Sequence, residues 1–150
     1  YTKNYDFLSE KIILKKDSYF KQVHLVLNRL KIGDKINLDN IYYEFDDYSL
    51  TPESLLEIHK IANYLILNNT FKVEIGGHTD NIGSSTYNLE LSKKRAESVY
   101  KALILNGVSR NQLSFKGYGN TLPLDSEDSE AARIKNRRTE IKIIGNVKWQ

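Results

Sequence analysis

The chain has 150 residues, 40% of them hydrophobic, with 22 basic against 19 acidic side chains and a net charge of +3; this suffices for one two-layer core and does not imply a phosphate polymer as partner. It contains no cysteine, which excludes a disulfide framework and a thiolate metal site. No run approaches the about 18 consecutive apolar residues of a membrane span, and the start lacks a basic-then-apolar signal, so Tyr1 is expected to be an internal cut through a longer precursor.

Over residues 1–32, the alternation in Ile12-Ile13-Leu14 and Val23-His24-Leu25-Val26-Leu27 predicts strands, the end of a preceding β domain or a linker. The module proper is expected over 33–150. Lys31-Ile32-Gly33-Asp34-Lys35 carries a turn signal, and Ile36-Asn37-Leu38 with Ile41-Tyr42-Tyr43-Glu44-Phe45 reads as a strand. Thr51-Pro52-Glu53 starts a helix: threonine caps free amides, proline suits the first helical position and glutamate the positive end. Leu55, Ile58, Ala62 and Leu65 trace its apolar face, and Asn68-Asn69 ends it.

Phe71-Lys72-Val73-Glu74-Ile75 reads as a buried strand running into Gly76-Gly77-His78-Thr79-Asp80. A second helix is predicted from Ser85-Thr86 to Asn106-Gly107, with Leu89, Ala96, Val99 and Leu103 facing the core. Strands at Gln112-Leu113-Ser114-Phe115 and Glu140-Ile141-Lys142-Ile143-Ile144 follow, with a short helical stretch between them near Glu130 to Ile134. The order β-α-β-α-β-(α)-β implies an α+β fold: a two-layer sandwich of helices on one mixed four-stranded sheet, with an amino-terminal β extension.

A carboxylate released at a strand's carboxyl end points into a crevice where ligands sit. Asp80 is such a group, and on the following helix Asn88, Leu91 and Arg95, spaced i, i+3 and i+7, share one face opposite it. An acid and a bidentate guanidinium so placed suit a zwitterion, Asp80 for an ammonium and Arg95 for a carboxylate. Each residue alone has a plainer reading: Asp80 as a turn cap beside Gly83, and Arg95 as one end of the charge run Lys93-Lys94-Arg95.

These residues resemble the OmpA-like carboxy-terminal domain, the peptidoglycan-binding module also found in Pal lipoproteins and MotB stators. The pattern T-D-x-x-G, N-x-x-L-S-x-x-R-A, G-V, G-x-G, P and N-R-R-x-E is met at Thr79-Asp80, Gly83, Asn88, Leu91-Ser92, Arg95-Ala96, Gly107-Val108, Gly117-Tyr118-Gly119, Pro123 and Asn136-Arg137-Arg138-Thr139-Glu140. Asn40 to Asp46 followed by Leu50-Thr51-Pro52-Glu53 is similar to the family's first strand and helix start, and the likeness runs over about residues 36 to 145. The amino-terminal piece looks like the last strands of a small β-sandwich that precedes this module in envelope proteins of Bacteroidetes-type bacteria.

The resemblance implies non-covalent binding of the peptidoglycan stem peptide through meso-diaminopimelate, with Asp80 on its amino group and Arg95 on its carboxylate. Thr79, Asn88, Leu91, Phe45, Asp46, Asp47 and Arg137 are the further ligand-site candidates, and Asn136-Arg137-Arg138 otherwise reads as structural. It also implies a periplasmic module attached to the outer membrane through the rest of its precursor, with other outer-membrane or secretion-system proteins as further partners. The alternative is the same fold used as a protein–protein interaction module in an envelope or secretion complex.

An enzyme is not expected. His24, His59 and His78 are scattered rather than set at metal-ligand spacing, and Ser84-Ser85 lacks an elbow and a base. No catalytic residue, metal or cofactor is therefore assigned. Nucleic acid is not a predicted partner either, since Asn136-Arg137-Arg138 lacks stacking aromatics and a wider basic patch.

Overall fold

A computed structural model describes residues 30–43 and 47–147. Most of the expected amino-terminal β extension, His24, Phe45 and Asp46 lie outside these residues. The described elements are β1 (Lys35–Asn37), α1 (Pro52–Leu67), β2 (Phe71–His78), α2 (Ser85–Leu105), a 3-10 turn (Arg110–Gln112), β3 (Leu113–Gly119), α3 (Glu130–Asn136) and β4 (Thr139–Asn146). They form one four-stranded sheet in the order β1-β4-β2-β3. β2 and β3 are parallel, and β4 runs antiparallel to β1 and β2, so the expected mixed α+β architecture is present.

Alternation along the strands sends Val73 and Ile75 of β2, Leu113 of β3, and Ile141 and Ile143 of β4 into one core with Ile58, Ile61, Ala62 and Leu65 of α1 and Ala96, Val99 and Leu103 of α2. Each large aliphatic so buried contributes roughly 1.5–3 kcal/mol. Gln112 fastens the end of α1 to this core, its Nε2 donating to the carbonyls of Leu65 at 2.9 Å and Asn68 at 3.2 Å.

Local chemistry explains the ends. Thr51 caps α1 through Ser54 N, Pro52 opens the helix, and Ser84 caps α2 through Tyr87 N. α2 stops at Gly107, φ +92°, where Gly107 N donates to the Ile104 carbonyl and Val108 N to that of Leu103, a Schellman closure that favours glycine.

Three expectations change. The expected strand over 36–45 is not continuous within its described residues, 36–43: β1 ends at Asn37, and Ile41 N turns back on the Leu38 carbonyl at 3.1 Å, because Asp39-Asn40 makes a turn that buries Leu38 and Ile41. Leu55 is exposed. The first turn of α1 instead buries Ser54, whose hydroxyl joins both the N–H and the carbonyl of Tyr42 at 2.7 and 2.8 Å.

Leu89 is also exposed, since the inward stripe of α2 runs Asn88, Ser92, Ala96, Val99, Leu103. Its first turns lie directly on glycines. A Cβ at Gly77 would run into the Ser92 carbonyl, and one at Gly117 would stand 2.5 Å from Lys93 N and 2.8 Å from the Leu89 carbonyl. A helix this close to the sheet leaves no room beneath it for leucine, so small and polar side chains occupy those positions.

Candidate functional site

The close seating of α2 fixes the strand ends beside it. Thr79 N donates to the Gly119 carbonyl and His78 N to that of Arg138, both at 3.0 Å. The chain leaving β2 is thereby held by β3 on one side and by the entry to β4 on the other. Asp80 stands at this exit, 8% exposed. Its Oδ1 accepts from Ile82 N at 3.0 Å, an Asx turn. Thr79 Oγ1 donates to the Asp80 carbonyl at 3.0 Å, and Asn88 Nδ2 donates to the Ile82 carbonyl at 2.9 Å and more weakly to that of Asp80 at 3.4 Å. Buried Asn88 thus braces the loop that presents Asp80.

The other carboxylate oxygen of Asp80 takes Arg137 Nη1 at 2.7 Å, and Arg137 Nη2 reaches Glu130 Oε1 at 2.7 Å. The three side chains form a ladder from interior to solvent, with side-chain exposures of 11%, 40% and 60%. Arg137 is carried to it by α3, whose last turn is anchored by Asn136: its Oδ1 accepts from Leu124 N and Asp125 N, and its Nδ2 donates to the Asp125 carbonyl. The hydrogen bonds to Glu130 and then Asp80 raise the Arg137 pKa, and those from Arg137 and Arg133 lower that of Glu130.

Arg95 lies two turns further along α2, about 10 Å from Asn88 at 1.5 Å per residue. It does not pair with Asp80. Its Nε donates to the Asp47 carbonyl at 3.0 Å, and its guanidinium carbon sits 4.9 Å from the Tyr43 ring centroid, a cation–π arrangement. Among the described residues neither Nη takes part in a hydrogen bond. The half-buried Leu91 lies between the two charged clusters on α2.

Tyr43 in turn has its hydroxyl 2.7 Å from Thr139 Oγ1 and 3.4 Å from the Arg95 carbonyl. Burial pushes its pKa up to about 12, against the opposing effects of Thr139 and Arg95, so it stays a neutral phenol. Asp47 offers Arg95 its backbone rather than its acid group. The carboxylate accepts from Tyr48 N at 2.6 Å and Ser49 Oγ at 2.9 Å, bonds that lower its pKa.

The structure therefore brings together Asp80, Thr79, Asn88 and Arg137 in one cluster and Arg95 with the Asp47 backbone in a second. Thr139, which pairs with Gly77 and directly follows Arg137-Arg138, bridges them. Phe45 and Asp46 lie outside the described residues. Sequence reasoning passed over Tyr43, Thr139 and Glu130. Only Glu130 left a signal there, standing seven residues before Arg137 and so nearly in line with it on a helix.

His78 belongs to neither cluster. It stacks on Tyr118 with ring centroids 5.1 Å apart and has Nε2 3.5 Å from Glu140 Oε1. Gly76 abuts the same three side chains, whereas Gly77 faces α2, which places this network on the sheet face turned away from the helices. Glu140 there also takes Lys35 at 2.8 Å and Arg138 at 3.2 Å. Burial pushes its pKa up, but His78 and Lys35 outweigh this and hold it at about 2. His78-Thr79-Asp80 therefore does not converge as a ligand set, and no group of three or more His, Cys, Asp or Glu side chains that could hold a metal occurs among the described residues. No helix among them is long and apolar enough to cross a membrane.

Residues 42–137 match the OmpA family. Outer membrane porin F of Pseudomonas fluorescens is 33% identical over 109 residues, covering 73% of this chain and 33% of the porin. Across the first three curated relatives, the chain spans 33% to 64% of their length. The crystal structure of the peptidoglycan-associated lipoprotein from Burkholderia pseudomallei superposes with a TM-score of 0.62 at 35% identity, covering 68% of this chain and 86% of that one. The periplasmic domain of Helicobacter pylori MotB gives 0.66 at 29% identity, covering 79% and 81%.

Proposed function

Because the chain belongs to the OmpA family, we propose that it is a non-catalytic module that binds peptidoglycan in the periplasm and anchors a larger envelope protein to the cell wall. One relative is by its name a peptidoglycan-associated lipoprotein and another is a periplasmic domain, which supports the location and the polymer. The recognised group is the zwitterionic end of meso-diaminopimelate in the stem peptide. Attachment to the outer membrane comes from the remainder of the precursor.

The observation that carries this reading is Arg95: a guanidinium with its Nε tied back to Asp47 and neither Nη hydrogen-bonded among the described residues, two helical turns along α2 from Asn88, which braces the loop of an acid held at a strand end. Its terminal nitrogens fit a carboxylate fork. Asp80 receives the ammonium, sharing it with the ion pair to Arg137, while Thr79, Asn88 and Leu91 shape the wall between. Arg137, half-exposed above Asp80, contacts the same ligand, as do Phe45 and Asp46, which precede Asp47 in the sequence.

Charge-assisted hydrogen bonds contribute about 1.5–3 kcal/mol each and association costs at least ~4 kcal/mol, so one free stem peptide binds with roughly micromolar to millimolar affinity. Firm tethering then comes from many identical stems held close by. Titration calorimetry with diaminopimelate-type and lysine-type muropeptides tests this reading. A lysine stem lacks the second carboxylate and should bind at least about tenfold more weakly; equal affinities would refute it.

A further inference from the structure

The Arg95 side chain is steered from two directions, neither of them the ligand's, and one of the two is itself braced. The Asp47 carbonyl takes Nε at 3.0 Å, the Tyr43 ring lies under the guanidinium at 4.9 Å, and the Tyr43 hydroxyl is pinned by Thr139 Oγ1 at 2.7 Å. Arginine carries five N–H donors in a rigid planar fork. With Nε used and the guanidinium carbon over the Tyr43 ring, the edge made by Nη1 and Nη2 is the part with no hydrogen-bond partner among the described residues. We propose that Tyr43, braced by Thr139, is a positioning residue that sets Arg95 to receive one carboxylate end-on through its two terminal nitrogens, making the site selective for a carboxylate over a neutral acceptor.

The proposal rests on Arg95 being the carboxylate receptor. It adds how the receptor is held. An unrestrained arginine loses much of its rotamer freedom on binding, whereas one fixed beforehand does not, so preorganisation appears as affinity. Tyr43 suits the task. Its ring is half-buried against the core, its hydroxyl also reaches the Arg95 backbone carbonyl at 3.4 Å, and Thr139 is 1% exposed on the β4 residue paired with Gly77. The brace is therefore attached to the sheet rather than to the mobile end of a side chain.

The test uses the full 150-residue chain and has a ligand-free arm and a binding arm. In the ligand-free protein, the Arg95 Nε–H resonance in a proton–nitrogen spectrum should be resolved and slow to exchange with solvent. It should exchange at least about tenfold faster in Tyr43→Leu and measurably faster in Tyr43→Phe and Thr139→Val, while Thr139→Ser restores it. In calorimetry, Tyr43→Phe and Thr139→Val should each weaken a diaminopimelate-containing tripeptide by about threefold to tenfold. Binding of the lysine-containing tripeptide should be nearly unchanged, a ratio that general destabilisation would not move. Unaltered Arg95 exchange in all three variants, or an unaltered ratio with Arg95→Ala still losing the preference, overturns the positioning role alone. If Arg95→Ala itself keeps the preference, the carboxylate-receptor reading fails instead.

Discussion

Asp80 and Arg95 flank the first turns of α2 and are held in opposite ways. Asp80 already has its charge answered, by Arg137 at 2.7 Å and by Ile82 N at 3.0 Å, and the loop that carries it is braced by Asn88. Among the described residues, Arg95 is engaged through its Nε by a backbone carbonyl and over its guanidinium carbon by a tyrosine ring. The acid is thus part of the architecture before any ligand arrives, whereas the base is oriented and forms no ion pair among the described residues. On the proposed reading, an incoming ammonium shares Asp80 with Arg137, and an incoming carboxylate meets no ion-pair competitor at Arg95 among the described residues.

The largest expected effect removes both sites together. Gly117→Val places a branched side chain where a Cβ alone stands 2.5 Å from Lys93 N, so α2 must lift from the sheet. Stability should fall by about 3 kcal/mol or more, measured by denaturant unfolding, with Asp80 and Arg95 losing ligand in parallel. A variant that melts normally would show that the close seating of α2 does not set the site.

Next come the two charged groups, and here the contrast itself is at stake. From sequence alone, Asp80→Ala and Arg95→Ala are both expected to abolish co-sedimentation with sacculi and leave melting nearly unchanged. The geometry separates them. Asp80→Ala leaves Ile82 N and Arg137 without their acceptor and should cost about 1–3 kcal/mol of stability. Arg95→Ala gives up a stacked, half-buried side chain and should cost about 1 kcal/mol or less, while binding is lost in both. Equal destabilisation by the two variants would erase the distinction between a structural acid and an oriented base.

Glu140 provides an internal control, because it lies one residue from Thr139 on β4 but on the opposite sheet face. Its pKa is held at about 2 against an ordinary value of 4.5, so the folded state binds this proton less readily than the unfolded chain. The stabilisation is complete above about pH 4.5 and is lost as pH falls towards 2, amounting to roughly 2–3 kcal/mol. Glu140→Gln should therefore flatten the acid limb of the stability profile between those values and leave muropeptide affinity at neutral pH within about twofold, as expected of a group outside the ligand site. A profile as steep as wild type would place the acid sensitivity elsewhere.

Much of this organisation was legible in the sequence where local rules act alone: Thr51-Pro52 opening α1, Gly107 closing α2, and the run into Asp80 at the end of β2. Apolar patterning and helical spacing named β2 as a buried strand and β4 as a strand, and put Asp80 and Arg95 on adjoining elements. Long-range geometry overrode spacing at Leu89, since the glycines that bring α2 onto the sheet are read as turn residues until their contact is seen. The partner of Asp80 was equally hidden. Arg137 is 57 residues away along the chain, and only the packing of α3 beside the β2 exit decides that it, rather than Arg95, meets the acid. Tyr43 and Thr139 carry no charge or motif signal, and their pairing across 96 residues follows from the fold alone.

The smallest effect is expected at Asp47, where the residue type misleads. An aspartate beside an arginine invites the reading that its carboxylate holds a ligand's ammonium, yet its carboxylate oxygens accept from the next two residues, Tyr48 N and Ser49 Oγ, and it is the carbonyl that hydrogen-bonds Arg95. Asp47→Ala retains that carbonyl. If the side chain merely shapes the loop, affinity for a diaminopimelate tripeptide should change by no more than about twofold, whereas loss of a direct charge-assisted bond would cost about tenfold or more. Asp47→Pro is the complementary probe, because it disturbs the backbone that positions the carbonyl and takes away no further ligand-facing charge. Weaker binding in the proline variant than in the alanine variant assigns Asp47's contribution to its backbone; the reverse order assigns it to the carboxylate and makes the acid side of the site two residues rather than one.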